Sequence, residues 1–525
     1  MLLRNLLSFP DDYWTPQYKE LFPEALIDLL IKLNQEFEPR RQALLQARKV
    51  RQLEFDEGLF PDFLQPQSEA VAGVWTIDPL PPELLCRRVE ITGPVNSAKM
   101  VINMLNRNDQ GSRADMAMLD FEDSMKPIFE HILSGYKNVI EAVKGTLSFK
   151  TPEKTYQLNP TDMAYVMVRV RGLHLDESNI KIENFALSGG LLDLAVCFYH
   201  TAHLYLARGL TPKFYVPKCE HYLEARWWND LFTVLEKSLD YPVGTLKATF
   251  LIETLPAAYQ IEEILFEIRN HAAGLNVGRW DKIFSDIKVL RNHPDKVLAD
   301  RSSINMTRPW MENYAKRVIH ICHSRGAFAM GGMSAFTPGQ THELRTAQTE
   351  KVKQDKLREA ELGHDGCWVS HPYFIDVAMR AFENKNQLHV KIPDFDKYSD
   401  LLPKSDGPHS LLGLRTNVRV GIAYMHGWNA GIGCVSFDNL MEDLATLEIS
   451  RAQTWQWLHH EIKLDDGLKV TPELIEKTFD EELAAMENQF PSTELPALVK
   501  AAQDAKQIFL EKNLREFLTL ASDPV

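Results

Sequence analysis

The stretch KATFLIETLPAAYQIEEILFEIRNHAAGLNVGRWDKIF, residues 247–284, decides the expected fold. It holds an apolar run ending in Glu253, a helix-like segment and a second apolar run ending in Asp281. Between the runs, apolar residues recur at helical spacing, at Ile261, Ile264, Leu265 and Ile268. The order strand, helix, strand implies a parallel pair with a right-handed crossover. Both acids are therefore expected at the carboxyl ends of their strands, where parallel α/β folds bind ligands.

These two acids predict a metal site. Two carboxylates that converge on one rim of a sheet suit a hard divalent cation, and we favour Mg²⁺ with substrate oxygens and water completing its shell. The alternative is that each acid caps the helix that follows its strand. Because Glu253 and Asp281 belong to consecutive predicted strands, we favour the metal.

Seven further runs share the character of ATFLIE. Together the eight apolar, β-rich runs are RRVEITG, MAMLDFED, AYVMVRVR, KFYVPK, ATFLIE, GLNVGRW, GAFAMGG and GCWVSHP. Helix-like segments fill most of the gaps, which predicts an α/β fold with a (β/α)₈ TIM barrel. We expect the barrel at residues 86–400, with TLSFKTPEKTYQL inserted as a small hairpin.

The regions on either side of the barrel have helical patterns. Residues 1–85 are expected to form an N-terminal helical domain and residues 401–525 a C-terminal helical domain. The Pro-rich DPLPPELL marks the first boundary, and KIPDFDKYSDLLPKSDGPH is interpreted as the linker at the second. In the C-terminal part, a strong helix is predicted to begin near Asn439.

Composition narrows the class of protein. The chain has 525 residues, 45% hydrophobic and 25% charged, which is typical of a globular protein. A net charge of −14 argues against nucleic acid or an anionic membrane as the main partner. The six cysteines are scattered without CxxC pairs, as in a reduced compartment. The apolar stretch 191–207 contains Asp193 and two histidines, so we expect a buried helix rather than a membrane span.

The ends of the chain agree with this interpretation. MLLRNLLSFPDD has too short an apolar stretch for a signal peptide, and SDPV is not a peroxisomal address. The cytoplasm is therefore the expected location. Nothing in the sequence predicts an oligomeric state.

Charged residues at the ends of other predicted strands are further candidates. Arg169 and Arg171 alternate to one face at the end of the third run, where an arginine suits an anionic oxygen of a substrate or enolate. The alternative is an ion pair at the barrel rim. For Asp120, Glu122 and Asp123, after the second run, salt bridges at the rim are the favoured interpretation over a role near the metal.

Two acids near the predicted helix at Asn439 have a structural explanation on their own. Glu442 and Asp443 would lie in its first turn, and Asn439 with Glu442 resembles a capping box. His271, His364 and His371 do not form a zinc motif, and Cys367 has no supporting constellation. No glycine-rich phosphate loop follows the first strand, so a dinucleotide-binding fold is not supported.

A family resemblance adds to these patterns. RNHAAGLNVGRWDKIF, residues 269–284, closely resembles the malate synthase signature. The stretches RRVEITGPV, MLDFEDS, RVRGLHL, FLIETLPA, GAFAMGGMSAF, HDGCW and LMEDLATLEISRAQTWQW resemble the shorter, A-type enzymes of that family. The resemblance extends from the N-terminal helices to the C-terminal helices.

The resemblance implies a function and roles for particular residues. The family has a TIM barrel with an N-terminal helical clasp and a C-terminal helical plug, and condenses acetyl-CoA with glyoxylate and water to malate and CoA. By motif position, Glu253 and Asp281 are implied as magnesium ligands, Arg169 as the catalytic arginine and Asp443 as the acid–base group. The remaining implied positions are substrate contacts: Gly278, Arg279, Trp280 and Asp281 cradle glyoxylate, and Pro372 lines the CoA channel.

The sequence departs from the family pattern at several positions. Lys282 stands where the signature usually has tyrosine, His426 and Gly427 where relatives have Glu-Ala, and Cys367 and Ser370 replace small residues. Leucines 444 and 447 replace alanines. No implied catalytic residue is lost. Because successive side chains in a strand point to opposite faces, we expect Lys282 to face away from Asp281.

Two alternative functions follow from these features. One is a citramalyl- or malyl-CoA lyase on the same barrel, which would not hydrolyse the thioester. The C-terminal domain with Asp443 argues against it. The other is a binding protein without catalysis, suggested by the departures at Lys282 and His426. The intact set of Glu253, Asp281, Arg169 and Asp443 argues against that.

Overall fold

Eight parallel strands close into a barrel in the computed structural model, which describes residues 7–10, 15–393 and 395–520. The strands are β1 (Val89–Pro94), β2 (Met116–Asp120), β3 (Tyr165–Arg169), β4 (Lys213–Val216), β5 (Lys247–Ile252), β6 (Ala272–Val277), β7 (Phe328–Ser334) and β8 (Gly366–Val369). Each pairs with the next, and β8 pairs with β1. The predicted (β/α)₈ barrel is confirmed, and each strand overlaps one of the eight apolar runs.

The helices surround and extend this barrel. The longer ones are α1 (Glu24–Asp56), α2 (Ala98–Leu105), α3 (Phe129–Lys144), α4 (Gly189–Leu206), α5 (Tyr222–Ser238), α6 (Ile261–Glu267), α7 (Arg279–Val289), α8 (Pro309–Ser324), α9 (His342–Leu362), α10 (Ile375–Ala381), α11 (Leu411–Asn429), α12 (Leu444–His459), α13 (Pro472–Glu487) and α14 (Leu495–Phe509). In α3 the buried positions recur at three- and four-residue spacing, which turns one apolar face to the barrel. In the described ranges, no helix has the length and apolar character needed to cross a bilayer.

Packed side chains fill the barrel interior. A buried layer across several strands contains Met116, Met118, Met167, Tyr215, Leu251, Ala273 and Trp368. The indole N–H of Trp368 donates a hydrogen bond to Glu90 Oε2 at 2.9 Å, which fixes the ring in this layer. The interior is therefore a core rather than a pore, and a ligand site has room only at a rim.

The N-terminal region is less helical than expected. Leu7–Ser8 is a short strand that pairs with Ile182 and Lys181, so the prediction of helices throughout residues 1 to about 80 is wrong there. The parts of that prediction on residues 1–6 and 11–14 lie outside the described residues. The long helix α1 crosses the barrel exterior and is anchored by Arg48, whose guanidinium lies 2.6 Å from Glu224.

Two hairpins extend the barrel. The predicted insert is present as Ser148–Lys150 paired with Thr155–Gln157. A second hairpin, Asp176–Ile182 with Phe185–Ser188, follows β3 and was not anticipated. At its tip Glu183 and Asn184 both have positive φ, as the favoured two-residue hairpin turn requires.

The C-terminal helices form their own core and dock on the barrel. Helix α12 packs against α7 through an interface that includes Phe284 and Ile287 from the barrel and Ile449 and Trp455 from α12. This interface places the start of α12 over the carboxyl ends of the strands.

The start of α12 differs from the prediction. The expected helix from Asn439, capped by Asn439 and Glu442, is wrong. Val435–Phe437 and Leu440–Glu442 form a hairpin, and Asp438 and Asn439 turn it with φ of 46° and 64°. Asp and Asn tolerate that left-handed region, so the turn competes successfully with the helix. Helix α12 begins only at Leu444.

Candidate active site

A cleft at the carboxyl ends of the barrel strands brings together most of the site residues predicted from the sequence. Its cavity volume is about 40 Å³, and the cleft is partly open to solvent. Its walls come from both domains and include Asp120, Arg169, Glu253, the segment Gly278–Asp281 and Asp443. The barrel supplies all of these except Asp443, which the C-terminal domain places over the rim.

Glu253 follows β5 directly and is fully buried. Its Oε1 accepts the backbone N–H of Lys218 at 2.8 Å, while Oε2 is buried without a hydrogen bond. Burial raises the pKa of this carboxyl well above its usual range, and the Asp281 carboxylate raises it further against the opposing charge of Lys218. A Cβ at Gly278 would lie 2.5 Å from Glu253, so only glycine fits beside it.

Asp281 lies close to Glu253 but in a different element from the one expected. Strand β6 ends at Val277, and Asp281 is in the first turn of α7 rather than at a strand end. The run GLNVGRW contains both the end of a strand and the start of a helix, and its apolar periodicity does not reveal where one passes into the other. Asp281 Oδ1 lies 3.2 Å from Lys218 Nζ but accepts no hydrogen bond from it.

Lys218, which the sequence patterns did not single out, lies beside the cleft in contact with its acids. It is buried, has a φ of +53°, and follows β4 by two residues. Its Nζ lies 2.6 Å from Asp123, 3.1 Å from Glu122 and 3.2 Å from Asp281. The available signal was that KFYVPK ends in a charge just beyond a buried run, as ATFLIE does.

Arg169 ends β3 and is held by Asp120. Its Nε and Nη2 donate to the two Asp120 oxygens at 2.7 and 2.6 Å. Burial acts to raise the pKa of Asp120, but the paired guanidinium outweighs it and lowers the pKa. Nη1 remains directed at Glu122 and Asp123, at 3.5 and 3.6 Å. Because Nη1 makes only these longer ion-pair contacts, it is the guanidinium nitrogen best placed to meet an anionic oxygen.

Arg171 does not share this environment. The expectation that Arg169 and Arg171 face the same side is wrong, because β3 ends at Arg169. Arg171 donates instead to Asp193 of α4, at 2.9 Å, and to Glu177, at 2.8 Å. It is therefore part of a buried ion-pair network beside the barrel rather than part of the cleft.

Asp443 is the N-cap of α12. Its Oδ1 accepts the Thr446 N–H at 3.3 Å, and Thr446 Oγ1 accepts the Asp443 N–H at 3.0 Å, which completes a capping box. Burial raises the pKa of Asp443 well above its ordinary value, and the charges of Asp123 and Asp281 add to this effect. Arg169 acts in the opposite direction. The cap holds the side chain in one place, and burial increases its basicity.

The charge balance of the cleft favours a bound cation. Among the described residues in and beside the cleft, six buried carboxyl groups surround the cationic side chains of Arg169 and Lys218, while the third cation, Arg279, pairs with Asp355; the six acids are Asp120, Glu122, Asp123, Glu253, Asp281 and Asp443. Several of their oxygens have no hydrogen bond, including Glu253 Oε2 and Asp281 Oδ1. Unpaired, hard oxygen donors in carboxylate excess fit a divalent ion of the Mg²⁺ type.

Segment Gly278–Asp281 forms the start of α7. Gly278 is the N-cap, so the next backbone N–H groups have no acceptor within the helix and suit an anion. The Arg279 guanidinium is held by Met333 O at 2.8 Å and by Asp355 at 3.2 Å, to both of which it donates hydrogen bonds. Trp280 lines the cleft.

Pro372 lies apart from these residues. It is three residues beyond β8, and its carbonyl accepts the Asn108 side-chain N–H at 2.8 Å. It does not line the cleft that contains Glu253 and Asp443.

The departures at Lys282, His426 and Cys367 leave the cleft residues in place. Lys282 is on α7 rather than in a strand, and its ammonium pairs with Asp286 one turn on. His426 lies near Glu494 in the C-terminal domain, and Cys367 is buried in β8. Because Lys282 points to Asp286, it does not neutralise Asp281.

The substitution Lys282→Tyr is expected to leave the Mg²⁺ affinity nearly unchanged. It should lower the free energy of unfolding, because breaking a buried pair costs about 3–5 kcal/mol. Burial already raises the pKa of Asp286 to about 6 despite Lys282. The double variant Lys282→Tyr/Asp286→Asn should therefore recover part of the stability. Calorimetric Mg²⁺ titration and urea unfolding of both variants test this, and a gain of tenfold or more in affinity would contradict the geometry.

Comparisons with known proteins agree along most of the chain. Residues 6–69, 165–399 and 409–523 match the profiles of the malate synthase N-terminal domain, TIM barrel domain and C-terminal region. A malate synthase of Myxococcus xanthus is 44% identical, over 97% of this chain and 94% of its own. Malate synthase A of Escherichia coli is 42% identical, over 96% and 95%, and a malate synthase of Dictyostelium discoideum is 41% identical, over 95% and 94%.

Proposed function

The chain belongs to the malate synthase family, and we propose that Arg169, Glu253, Asp281 and Asp443 carry its reaction. The enzyme is a transferase that condenses acetyl-CoA with glyoxylate to give malate and CoA. The observation that carries the proposal is that the barrel's acids and arginine share one buried cleft with Asp443 from the other domain.

Asp443 is the proposed general base. A carboxylate with a raised pKa is a stronger base than one in water, and its fixed cap position suits removal of a proton from the acetyl methyl group. The resulting enolate carbon attacks the aldehyde carbon of glyoxylate, and hydrolysis of the thioester then releases CoA and malate.

Arg169 is the proposed stabiliser of the enolate. A weak carbon acid loses its proton readily only if a preorganised donor meets the charge that develops on oxygen. Asp120 fixes the guanidinium through two hydrogen bonds and leaves Nη1 toward the cleft. Glyoxylate would lie against the start of α7 at Gly278–Asp281, where backbone N–H groups receive its carboxylate.

Glu253 and Asp281 are the proposed ligands of a divalent cation, and Mg²⁺ is the ion that their hard oxygens favour. When bound, that ion supplies Lewis-acid polarisation of the glyoxylate carbonyl. Lys218 holds the neighbouring acids Glu122 and Asp123 and limits their repulsion.

Free CoA thiol is the product that tests the proposal. Mixing the protein with acetyl-CoA, glyoxylate and Mg²⁺ should release thiol continuously, and EDTA should stop the release until Mg²⁺ is added in excess. A malyl-CoA lyase would accumulate the thioester and release no thiol. Binding of glyoxylate without turnover would instead indicate a non-catalytic relative. From its cysteine usage, we expect the enzyme to act in the cytoplasm.

A further inference from the structure

Helix α12 holds one barrel loop, residues 296–301, by its backbone. The Gln453 side chain donates to Ala299 O at 2.6 Å, and the Trp457 indole donates to Leu298 O at 2.8 Å. Gln456 Oε1 accepts the Leu298 N–H at 3.0 Å. These contacts fix the position of α12 along the loop, because each uses a separate backbone group.

Arg301 ends this row of contacts at the start of α12. Its Nη2 lies 2.6 Å from Glu442 Oε1, and its Nη1 donates to Ser450 Oγ at 3.0 Å and to Thr446 O at 3.4 Å. Positions 446, 450, 453 and 457 recur at helical spacing and so form one face of α12. Arg301 and Glu442 are both buried, which leaves their ion pair little freedom to rearrange.

Arg301 also contacts the opposite half of the cleft. Its guanidinium lies 5.6 Å from the centroid of the Trp280 ring. Trp280 lines the cleft within the segment Gly278–Asp281, next to the proposed metal ligand Asp281. One side chain therefore touches both the glyoxylate segment and the residue that precedes Asp443.

We propose that Arg301 is a positioning residue that sets the place of Asp443 relative to a substrate held at Gly278–Asp281. It acts through Glu442 and the first turn of α12 and does not touch the reacting atoms. This inference rests on the proposed role of Asp443 as the base. Because Glu442 directly precedes Asp443 and α12 is held between Thr446 and Trp457, a shift at Glu442 displaces Asp443 relative to the barrel.

The variants Arg301→Ala, Arg301→Lys and Glu442→Gln test the proposal. A misplacement of about 1 Å costs about 10²-fold in rate, so kcat should fall by that order in Arg301→Ala. The other two should fall less, because each keeps part of the contact. The KM for glyoxylate and the calorimetric affinity for Mg²⁺ should stay nearly unchanged. The deuterium isotope effect on kcat with trideuterated acetyl-CoA should rise, because proton removal becomes slower.

Asp300→Ala is the matched control. Asp300 accepts hydrogen bonds from the Ser410 N–H and Oγ, at 2.9 and 2.5 Å, and so docks the same loop on the C-terminal domain away from Asp443. It should lower the unfolding stability without raising the isotope effect.

Three outcomes would decide against the inference or its premise. Equal losses of kcat in Arg301→Ala and Asp300→Ala would reduce Arg301 to a docking contact. If Arg301→Ala does not fold, an unchanged kcat and isotope effect in both Arg301→Lys and Glu442→Gln would overturn the inference. Normal turnover by Asp443→Asn, measured in parallel, would overturn the proposed function instead.

Discussion

Replacing Asp443 by asparagine is expected to lower kcat by about 10²–10⁴-fold, the usual loss for a general base. That corresponds to about 3–5 kcal/mol in activation free energy. Asparagine keeps the shape of the side chain and is as good an N-cap as aspartate, so the bond from the Thr446 N–H and the start of α12 should persist. Only the proton acceptor is lost. Steady-state kinetics should therefore show a lower kcat with nearly unchanged affinity for glyoxylate and Mg²⁺.

The same chemical change at Asp438 is the control. Asp438 lies in the hairpin turn five residues earlier, is 56% exposed and pairs with Arg419. Asparagine tolerates its left-handed backbone, so Asp438→Asn should retain normal turnover. Near-normal turnover by Asp443→Asn, with an unfolding midpoint like that of the control, would leave Asp443 with only its structural role as a helix cap.

Glu253→Gln and Asp281→Asn should each weaken Mg²⁺ binding by at least about 100-fold. Removing a residue that only contacts a metal ligand typically lowers metal affinity about 10–100-fold. Removing a direct ligand should lower the affinity by at least the larger of these factors. Glyoxylate affinity should fall with it, because the ion and the start of α7 hold the same substrate. Calorimetry measures both affinities without turnover. Mg²⁺ should raise the Tm of the unmodified protein, and this rise should disappear in each variant.

Asp295→Asn provides the comparison for these two variants. Asp295 lies in the loop after α7 and is 70% exposed, so its loss removes the same charge far from the cleft. Its Mg²⁺ affinity and Tm response should match those of the unmodified protein. Unchanged Mg²⁺ affinity in both Glu253→Gln and Asp281→Asn would place the metal at other residues of the chain.

The barrel could be predicted from the sequence because its signal is local. Each buried parallel strand is a continuous apolar run, and the helices between them are amphipathic, as in α3. Glu253 was accessible to the same reasoning, since it directly follows such a run. In this fold the carboxyl ends of all strands lie at one rim. The location of a charged residue at a strand end can therefore be predicted without knowing its distant contacts.

Local patterns were ambiguous where a strand passes into a helix or a turn. Asp281 was expected at a strand end and lies in a helix, because the change at Gly278 depends on the close approach of Glu253. The helix expected from Asn439 begins at Leu444, because the turn at Asp438 and Asn439 pairs two short strands instead. Both outcomes depend on neighbours distant in sequence, which periodicity within a short window does not contain.

By itself, then, the sequence determined the eight strands and the strand-end acid Glu253, and through its motifs the family. Only the tertiary structure decided that Lys218 lies among the acids and that Arg301 joins Trp280 to Glu442. It also decided that the capped Asp443 closes the barrel rim. The physical reason is that strand formation follows from neighbouring residues, whereas burial of charges depends on how the barrel core and the C-terminal core pack together.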